Sequence, residues 1–301
     1  MNSDFSNLKI LVIGDLMIDH YFFGHSNRLS PEAPVPVILP NQEYFVPGGA
    51  ANVVMNLCSM GADVTCVGIV GDDIWGKELL ALFKNQNINT DNIVTIKNHP
   101  TTCKQRVYLD EKQFARIDKE IYKNLELNKL DIDFSNFDVC IFSDYNKGVI
   151  ETININHQLI IVDPKKDDFS MYKNCNIITP NFNELQRASS INIKDNKSII
   201  EACNKLIEEN NFKYIVAKNG DKGMIIVGSG NYVKKIKPHY VKNPDVTGAG
   251  DTVLSILSLV YAKTGDIEMA ANVANYAASI VVSKPGTAKV TINDINNYIK
   301  E

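Results

Sequence analysis

Asn243-Pro-Asp-Val-Thr-Gly-Ala-Gly-Asp251, backed directly by the apolar run Thr252 to Ala262, is a glycine-rich turn that opens a helix. Gly248, Ala249 and Gly250 carry almost no side chain, so a bulky anion can approach the backbone closely. The first turn of a helix offers unpaired N–H groups and a partial positive charge, which together favour phosphate. The carboxylate of Asp251 is then the odd residue. A bare phosphate cradle excludes negative charge, whereas a phosphoryl-transfer site needs a base beside the incoming group. An ordinary helix start capped by Thr247 or Asp251 suits the same letters, and on this stretch alone the two readings weigh equally.

Working outward, one pattern repeats. The run Ile10-Leu-Val-Ile-Gly-Asp15 reads as a buried parallel strand whose carboxyl end releases Asp15, with Asp19 just beyond. The strand Asp138 to Phe142 releases Ser143 and Asp144. The strand Leu159 to Val162 releases Asp163-Pro-Lys165, and Asn176 to Ile178 releases Thr-Pro-Asn181-Phe-Asn-Glu184. Polar groups at successive strand ends mark a cleft along one edge of a sheet. Pro47-Gly-Gly-Ala-Ala-Asn52 opens a helix that runs through Met60 and closes at Gly61. The strand Asp63 to Val70 and the helix Trp75 to Asn85 follow, a βαβ rhythm.

Arg28-Leu-Ser-Pro-Glu-Ala-Pro-Val-Pro-Val37 forbids helix through its prolines at 31, 34 and 36, and predicts extended, edge-like chain. Val35 to Val46 then completes a small β-layer apart from the main sheet. Thr101 to Leu109 and Gln113 to Asp118 predict two more strands, joined by the turn Asp110-Glu-Lys112. They carry Lys104, Arg106 and Arg116, which suit either a substrate phosphate or a solvated face. A helix is expected over Lys197 to Glu209, and Met224 to Val227 with Tyr232 to Ile236 predict an antiparallel finish to the sheet. Three helices close the chain: Ala249–Ala262, Ile267–Ser283 and Asn293–Lys300. The expected fold is α/β: one domain over 1–301, with a mostly parallel central sheet flanked by helices and a small β-flap from about 20–46 and 101–118.

The totals agree with that class. The chain has 301 residues, 45% hydrophobic and 22% charged, with a net charge of −4; this suits one large α/β domain. No basic block stands out, which argues against a nucleic-acid partner. No run approaches the roughly 18 apolar residues of a membrane span. The N-terminus is polar, and the apolar stretch after it is too short for a signal peptide. Six cysteines lie scattered without a CxxC pair, which points to free thiols in a reducing, cytoplasmic setting.

Two stretches together carry a family resemblance. Pro47-Gly-Gly-Ala-Ala-Asn-Val-Val-Met-Asn-Leu57, followed by Val67-Gly-Ile-Val-Gly-Asp-Asp73, resembles the N-terminal signature of the ribokinase/PfkB sugar kinases. Asp245-Val-Thr-Gly-Ala-Gly-Asp251 resembles their C-terminal signature, and Asn181-x-x-Glu184 matches a third motif. Within the family the chain is most similar to the heptose 7-phosphate kinases. The marks are Ser30-Pro-Glu-Ala-Pro-Val-Pro-Val37, Lys104-x-Arg106, Arg116-x-Asp118, Ser143-Asp-Tyr-x-Lys-Gly148 and Asp163-Pro-Lys165. Lys218-Asn219 departs from the Thr-Arg-like pair of those kinases.

The resemblance implies a ribokinase-like fold and an ATP- and Mg²⁺-dependent transfer to the anomeric hydroxyl of D-glycero-β-D-manno-heptose 7-phosphate. It implies that Asp251 is the base, and that the N–H groups of Gly248, Ala249 and Gly250 form the anion hole. Asp15, Gly48, Gly49, Asn52 and Asp144 would hold the sugar, and Lys104, Arg106, Arg116 and Lys165 its phosphate. Asn181, Glu184, Lys218, Gly220, Gly223 and Asn275 would lie by the nucleotide, with Glu184 also toward Mg²⁺. Asp245, Thr247 and Gly286 fall where relatives hold a monovalent cation such as K⁺. The extended flap suggests a homodimer in which each β-layer helps close the partner's site. The adenylyltransferase fused to such kinases in some bacteria is expected on another polypeptide. The alternatives are a hexose phosphate kinase of the same fold and a non-catalytic sugar or nucleotide sensor. A dinucleotide-dependent oxidoreductase is excluded, because Gly14-Asp-Leu-Met17 lacks G-x-G-x-x-G.

Overall fold

The strand β1 (Lys9–Gly14) alternates its side chains between two cores, and the whole architecture follows from that alternation. In the computed structural model, which describes residues 4–110, 112–120, 122–124, 132–284 and 286–300, Ile10 and Val12 enter one apolar cluster and Leu11 and Ile13 enter the other. A strand buried on both faces reads as a continuous apolar run, as this one does.

The remaining elements are, in chain order, β2 (Leu16–His25), β3 (Leu39–Gly49), α1 (Ala50–Ser59), β4 (Asp63–Gly71), α2 (Ile74–Lys84), β5 (Ile93–Ile96), β6 (Thr102–Leu109), β7 (Lys112–Lys119), β8 (Val139–Ser143), β9 (Ile160–Asp163), β10 (Ile177–Ile178), α3 (Phe182–Ser189), α4 (Asn196–Asn210), β11 (Tyr214–Lys218), β12 (Met224–Gly228), β13 (Tyr232–Ile236), α5 (Ala249–Thr264), α6 (Ile267–Val282) and α7 (Ile292–Lys300). The main sheet has nine strands in the order β13-β12-β11-β10-β9-β8-β1-β4-β5. Its strands run parallel from β11 to β5, while β12 and β13 are antiparallel. The apolar sides of α1, α5 and α6 cover one face, and α3 and α4 cover the other. Helix α5 is deeply set: Asp251 through Tyr261 are all buried.

A second sheet of four strands, β3-β2-β6-β7, stands apart from the first. It is mixed, because β2 pairs antiparallel with β3 but parallel with β6. Its first strand, β2, begins at Leu16, earlier than the composition of residues 20–46 suggested, and β3 begins at Leu39, later than the expected Val35. The Pro-rich segment is a loop at the tip, joined only by the bridge between Leu29 and Pro36, because prolines donate no ladder hydrogen bond. Helix α1 likewise starts at Ala50, since Pro47, Gly48 and Gly49 end β3. Two elements were not expected. The helix α3 is set by a reciprocal capping box between Asn181 and Glu184, and β5 adds the edge strand beside β4.

Part of the expected turn at Asp110-Glu-Lys112, namely Glu111, lies outside the described residues, as do Met1 to Ser3 and Pro285. Among the described residues no helix is long and apolar enough to cross a membrane. All six cysteines are free.

Candidate active site

Gly248 stands in the left-handed region at φ 75° and turns the chain into α5. A Cβ there would come within 2.8 Å of Asn52 Nδ2, so the bare backbone is required both by conformation and by space. Asp251 follows in the first helical turn and is only 4% exposed. Its Oδ1 accepts from the Tyr145 hydroxyl at 2.5 Å and its Oδ2 from Asn52 Nδ2 at 2.8 Å. Burial pushes this carboxyl up to about 6, against the pull of the Tyr145 and Asn52 hydrogen bonds. Nearby Asp163 raises it further, and Lys218 opposes that. A carboxylate that is ionised at neutral pH yet basic suits proton abstraction. Of the three small residues before it, Ala249 spends its N–H on the Val246 carbonyl at 3.2 Å. That N–H is therefore turned into the bend, which departs from the expected set of three anion donors.

Asp15 and Asp144 are both buried, but their carboxylates are taken up within the protein. Asp15 Oδ2 accepts from the backbone N–H groups of Tyr145 (2.7 Å) and Lys147 (3.1 Å), and its Oδ1 from that of Val149 (3.1 Å). Asp144 accepts from the Tyr172 hydroxyl at 2.6 Å and lies 3.7 Å from Lys166 Nζ. Gly48 and Gly49 serve the junction of β2 and β3. A Cβ on Gly48 would sit 3.0 Å from Asp19 Oδ2, and one on Gly49 would sit 2.7 Å from the Asp15 carbonyl.

A cleft of about 990 Å³ opens beside the α5 N-terminus. Asp251, Gly248, Ala249 and Gly250 line it together with Lys218, Gly220, Gly223 and Asn275, and a Cβ on Gly250 would lie 3.5 Å from Lys218 Nζ. Its basic groups are paired internally: Lys218 with Asp163, and Lys165 with Glu184. Asp163 also accepts from Thr179 Oγ1 at 2.7 Å. Glu184 accepts from both the backbone N–H and the Nδ2 of Asn181, each at 2.7 Å. So engaged, Glu184 fits a hydrated Mg²⁺ better than direct ligation. Among the described residues, no group of three or more His, Cys, Asp and Glu side chains is gathered for a metal. Gly220 at φ 56° has open space above it, and Asn275 donates to the Lys237 carbonyl at 2.8 Å.

The lid sheet brings its own charges. Asp19, Lys104 and Asp118 stand in register across β2, β6 and β7, as do Tyr21, Arg106 and Arg116 two residues along. Arg106 donates to the buried Asp19 at 2.6 Å and covers the Tyr21 ring. Lys104 reaches Glu120 at 3.3 Å, which Lys147 also holds at 2.5 Å. Arg116 makes a two-point contact with Asp118, well out in solvent. The lid meets the body at Gly286, where a Cβ would lie 3.8 Å from the Tyr21 hydroxyl. There Asp245 accepts from the N–H groups of Thr247 (3.0 Å) and Gly286 (2.7 Å). These bonds outweigh the upward push of partial burial and hold Asp245 below the usual carboxylate range.

A sequence profile of the pfkB family carbohydrate kinases matches residues 7–294. The chain belongs to that family. It is 39% identical over 307 residues to the bifunctional protein HldE of Sulfurimonas denitrificans, covering 96% of this chain. It is 40% identical over 304 residues to HldE of Helicobacter pylori strain G27, covering 95%. The chain spans only 64% and 65% of the lengths of these two relatives. Its fold is shared with the crystal structure of ribokinase from Thermotoga maritima, at a TM-score of 0.76 and 20% identity over 98% of this chain and 99% of that one. The ribokinase-like fold is thus as expected.

In this pfkB family member, Tyr145 as a partner of Asp251 and Asp163 as a partner of Lys218 were not expected from the sequence. Tyr145 sits three places and Asp163 one place past a strand end that the sequence had marked, but nothing in the order of letters says which consecutive side chain turns to the cleft.

Proposed function

We propose that this chain is an ATP-dependent kinase that phosphorylates D-glycero-β-D-manno-heptose 7-phosphate at its anomeric hydroxyl. The product is the 1,7-bisphosphate, on the route to ADP-heptose. The observation that carries the reading is the Asp251 carboxylate, buried in the first turn of α5 beside the large cleft and held basic by burial. Asp251 takes the proton of the sugar hydroxyl as the hydroxyl oxygen attacks the γ-phosphorus, and ADP leaves. The helix N-terminus, through the N–H groups around Gly248 and Gly250, receives the charge on the phosphoryl oxygens. Ala249 contributes its small size more than its N–H. Glu184 and Asn181 would help hold Mg²⁺, which would supply neutralisation of the ATP phosphates. Lys218, Gly220, Gly223 and Asn275 border the nucleotide.

Asn52 orients the base and meets the sugar, beside Asp15, Gly48 and Gly49. Lys104 and Arg106 take the sugar's own phosphate when the lid closes, with Lys165 and Arg116 at its margin; Asp144 supports the site from behind. Asp245, Thr247 and Gly286 would form the seat of a K⁺ ion. The heptose itself rests on likeness: the Pro-rich tip and the HldE relatives favour it over a hexose phosphate. The whole chain is one kinase unit in which the second sheet acts as a lid, and two chains pair through their lids. Phe114 and Ile117 on the edge strand β7, 53% and 56% exposed, support that pairing; a monomeric mass at assay concentration counts against it.

The test is a coupled ADP-release assay with Mg·ATP, comparing the heptose 7-phosphate, fructose 6-phosphate, ribose and no sugar. Release with the heptose phosphate alone is expected. Release with fructose 6-phosphate instead keeps the base and discards the heptose. ATP turnover independent of any sugar discards the kinase reading.

A further inference from the structure

Asp15 is buried behind the loop that follows β8, and its carboxylate is held by backbone. Three N–H groups, of Tyr145, Lys147 and Val149, converge on it. They can do so because the loop after β8 bends through Asn146 at φ 56° and Gly148 at φ 106°. Backbone N–H groups brought round by such bends make a concave seat for an anion; here they are alternate ones, the Asn146 N–H going to Asp144 Oδ1 at 2.6 Å. A Cβ on Gly148 would strike the Lys123 carbonyl at 2.6 Å, so the bend has little freedom. The residue presented by this pinned loop is Tyr145, whose hydroxyl ends on Asp251 Oδ1.

We infer that Tyr145 is the positioning residue for the base, fixing the Asp251 carboxylate toward the sugar hydroxyl while Asp15 fixes Tyr145. The inference rests on Asp251 being the base. A carboxylate oxygen has about two acceptor positions. Tyr145 and Asn52 take one on each oxygen, which leaves a defined direction for the substrate's hydroxyl. The other charged groups that act on Asp251 are Asp163, from the end of β9, and Lys218, from the end of β11; Lys165 senses it from farther off. Asp163 and Lys218 are paired with each other, so their fields on Asp251 largely offset. The direct donors, Tyr145 and Asn52, then set its orientation. Tyr145 itself keeps its proton, since burial and the adjoining Asp251 push its hydroxyl well above the ordinary range.

The experiment compares the unchanged protein with Tyr145→Phe across pH 5 to 9 in the ADP-release assay, with thermal unfolding alongside. Loss of a donor to the ionised carboxylate raises its pKa, so the acid limb of kcat moves up by about one pH unit. The kcat falls about 10- to 100-fold through lost alignment, while both KM values stay within about twofold. An acid limb that does not move, or a KM change in place of the kcat loss, overturns the inference. Complete loss in a folded variant overturns it as well, by making Tyr145 a group that touches the reacting atoms. If Tyr145→Phe does not fold, 3,5-difluorotyrosine at 145 keeps the shape and donates more strongly. The acid limb then moves down, and a limb that stays in place refutes the role. No sugar-dependent turnover in the unchanged protein refutes the kinase reading instead, so the two failures are distinct.

Discussion

Replacing Asp251 by Asn is expected to make the protein more stable and nearly inactive, and the two effects have one cause. The Asp251 carboxyl is raised from the ordinary 3.8 to about 6 because it is buried. That difference corresponds to about 3 kcal/mol of native-state stability absent at pH 8. The sign follows from the native state binding the proton more tightly than the unfolded chain does. The stability is complete below the unfolded value near 3.8 and is lost as pH rises through about 6. An Asn at 251 escapes this loss but satisfies only one of the two donors, Tyr145 and Asn52, at a cost of about 1 kcal/mol. The net gain is about 2 kcal/mol at pH 8, or a Tm roughly 4 °C higher for a chain of this size. At pH 5 about half of the titration remains, and the gain shrinks to about 1 °C.

Differential scanning calorimetry of both proteins at the two pH values reads this directly. Turnover of Asp251→Asn falls by roughly 10²–10⁴, the range for a lost general base. A variant whose Tm is lower than the unchanged protein's by the same amount at both pH values refutes the buried, charged carboxylate. A turnover within about tenfold of the unchanged protein's refutes the base.

Gly248→Ala places a Cβ 2.8 Å from Asn52 Nδ2 at φ 75°. A loss of about 1–2 kcal/mol of stability, read as a lower Tm, and a much reduced kcat are expected, and unchanged kinetics count against the tight turn. Arg106→Ala leaves the buried Asp19 without its cation, so the KM for the sugar phosphate rises about tenfold or more while that for ATP holds; equal changes in both place Arg106 outside the sugar site. Leu257→Ala, at a fully buried position of α5, lowers stability by about 2–5 kcal/mol in urea unfolding with residual activity per folded molecule preserved.

The sequence by itself determined the class of fold and the place of the cleft. The apolar runs before Asp15, Ser143, Asp163 and Thr179 report parallel strands because a strand covered on both faces must be apolar throughout. Gly248 before Asp251 reports the α5 start because only glycine takes that backbone turn without strain. The prolines at 31, 34 and 36 report chain without ladder bonds, although not that the strand β3 begins only at Leu39. The capping box that starts α3 was legible as Asn181-x-x-Glu184 but served another reading there, since the same two side chains suit a cap and a nucleotide edge.

Only the tertiary structure decided which polar groups face one another. Asp15 and Asp251 are far apart in sequence, yet the loop from Tyr145 to Val149 joins them. Arg106 reaches Asp19 because β2 and β6 lie side by side in one particular register. Such pairings depend on where long-range packing sets each backbone and on which rotamer the neighbours leave open. Local periodicity carries neither, so the strand ends were readable and the direction of each side chain beyond them was not.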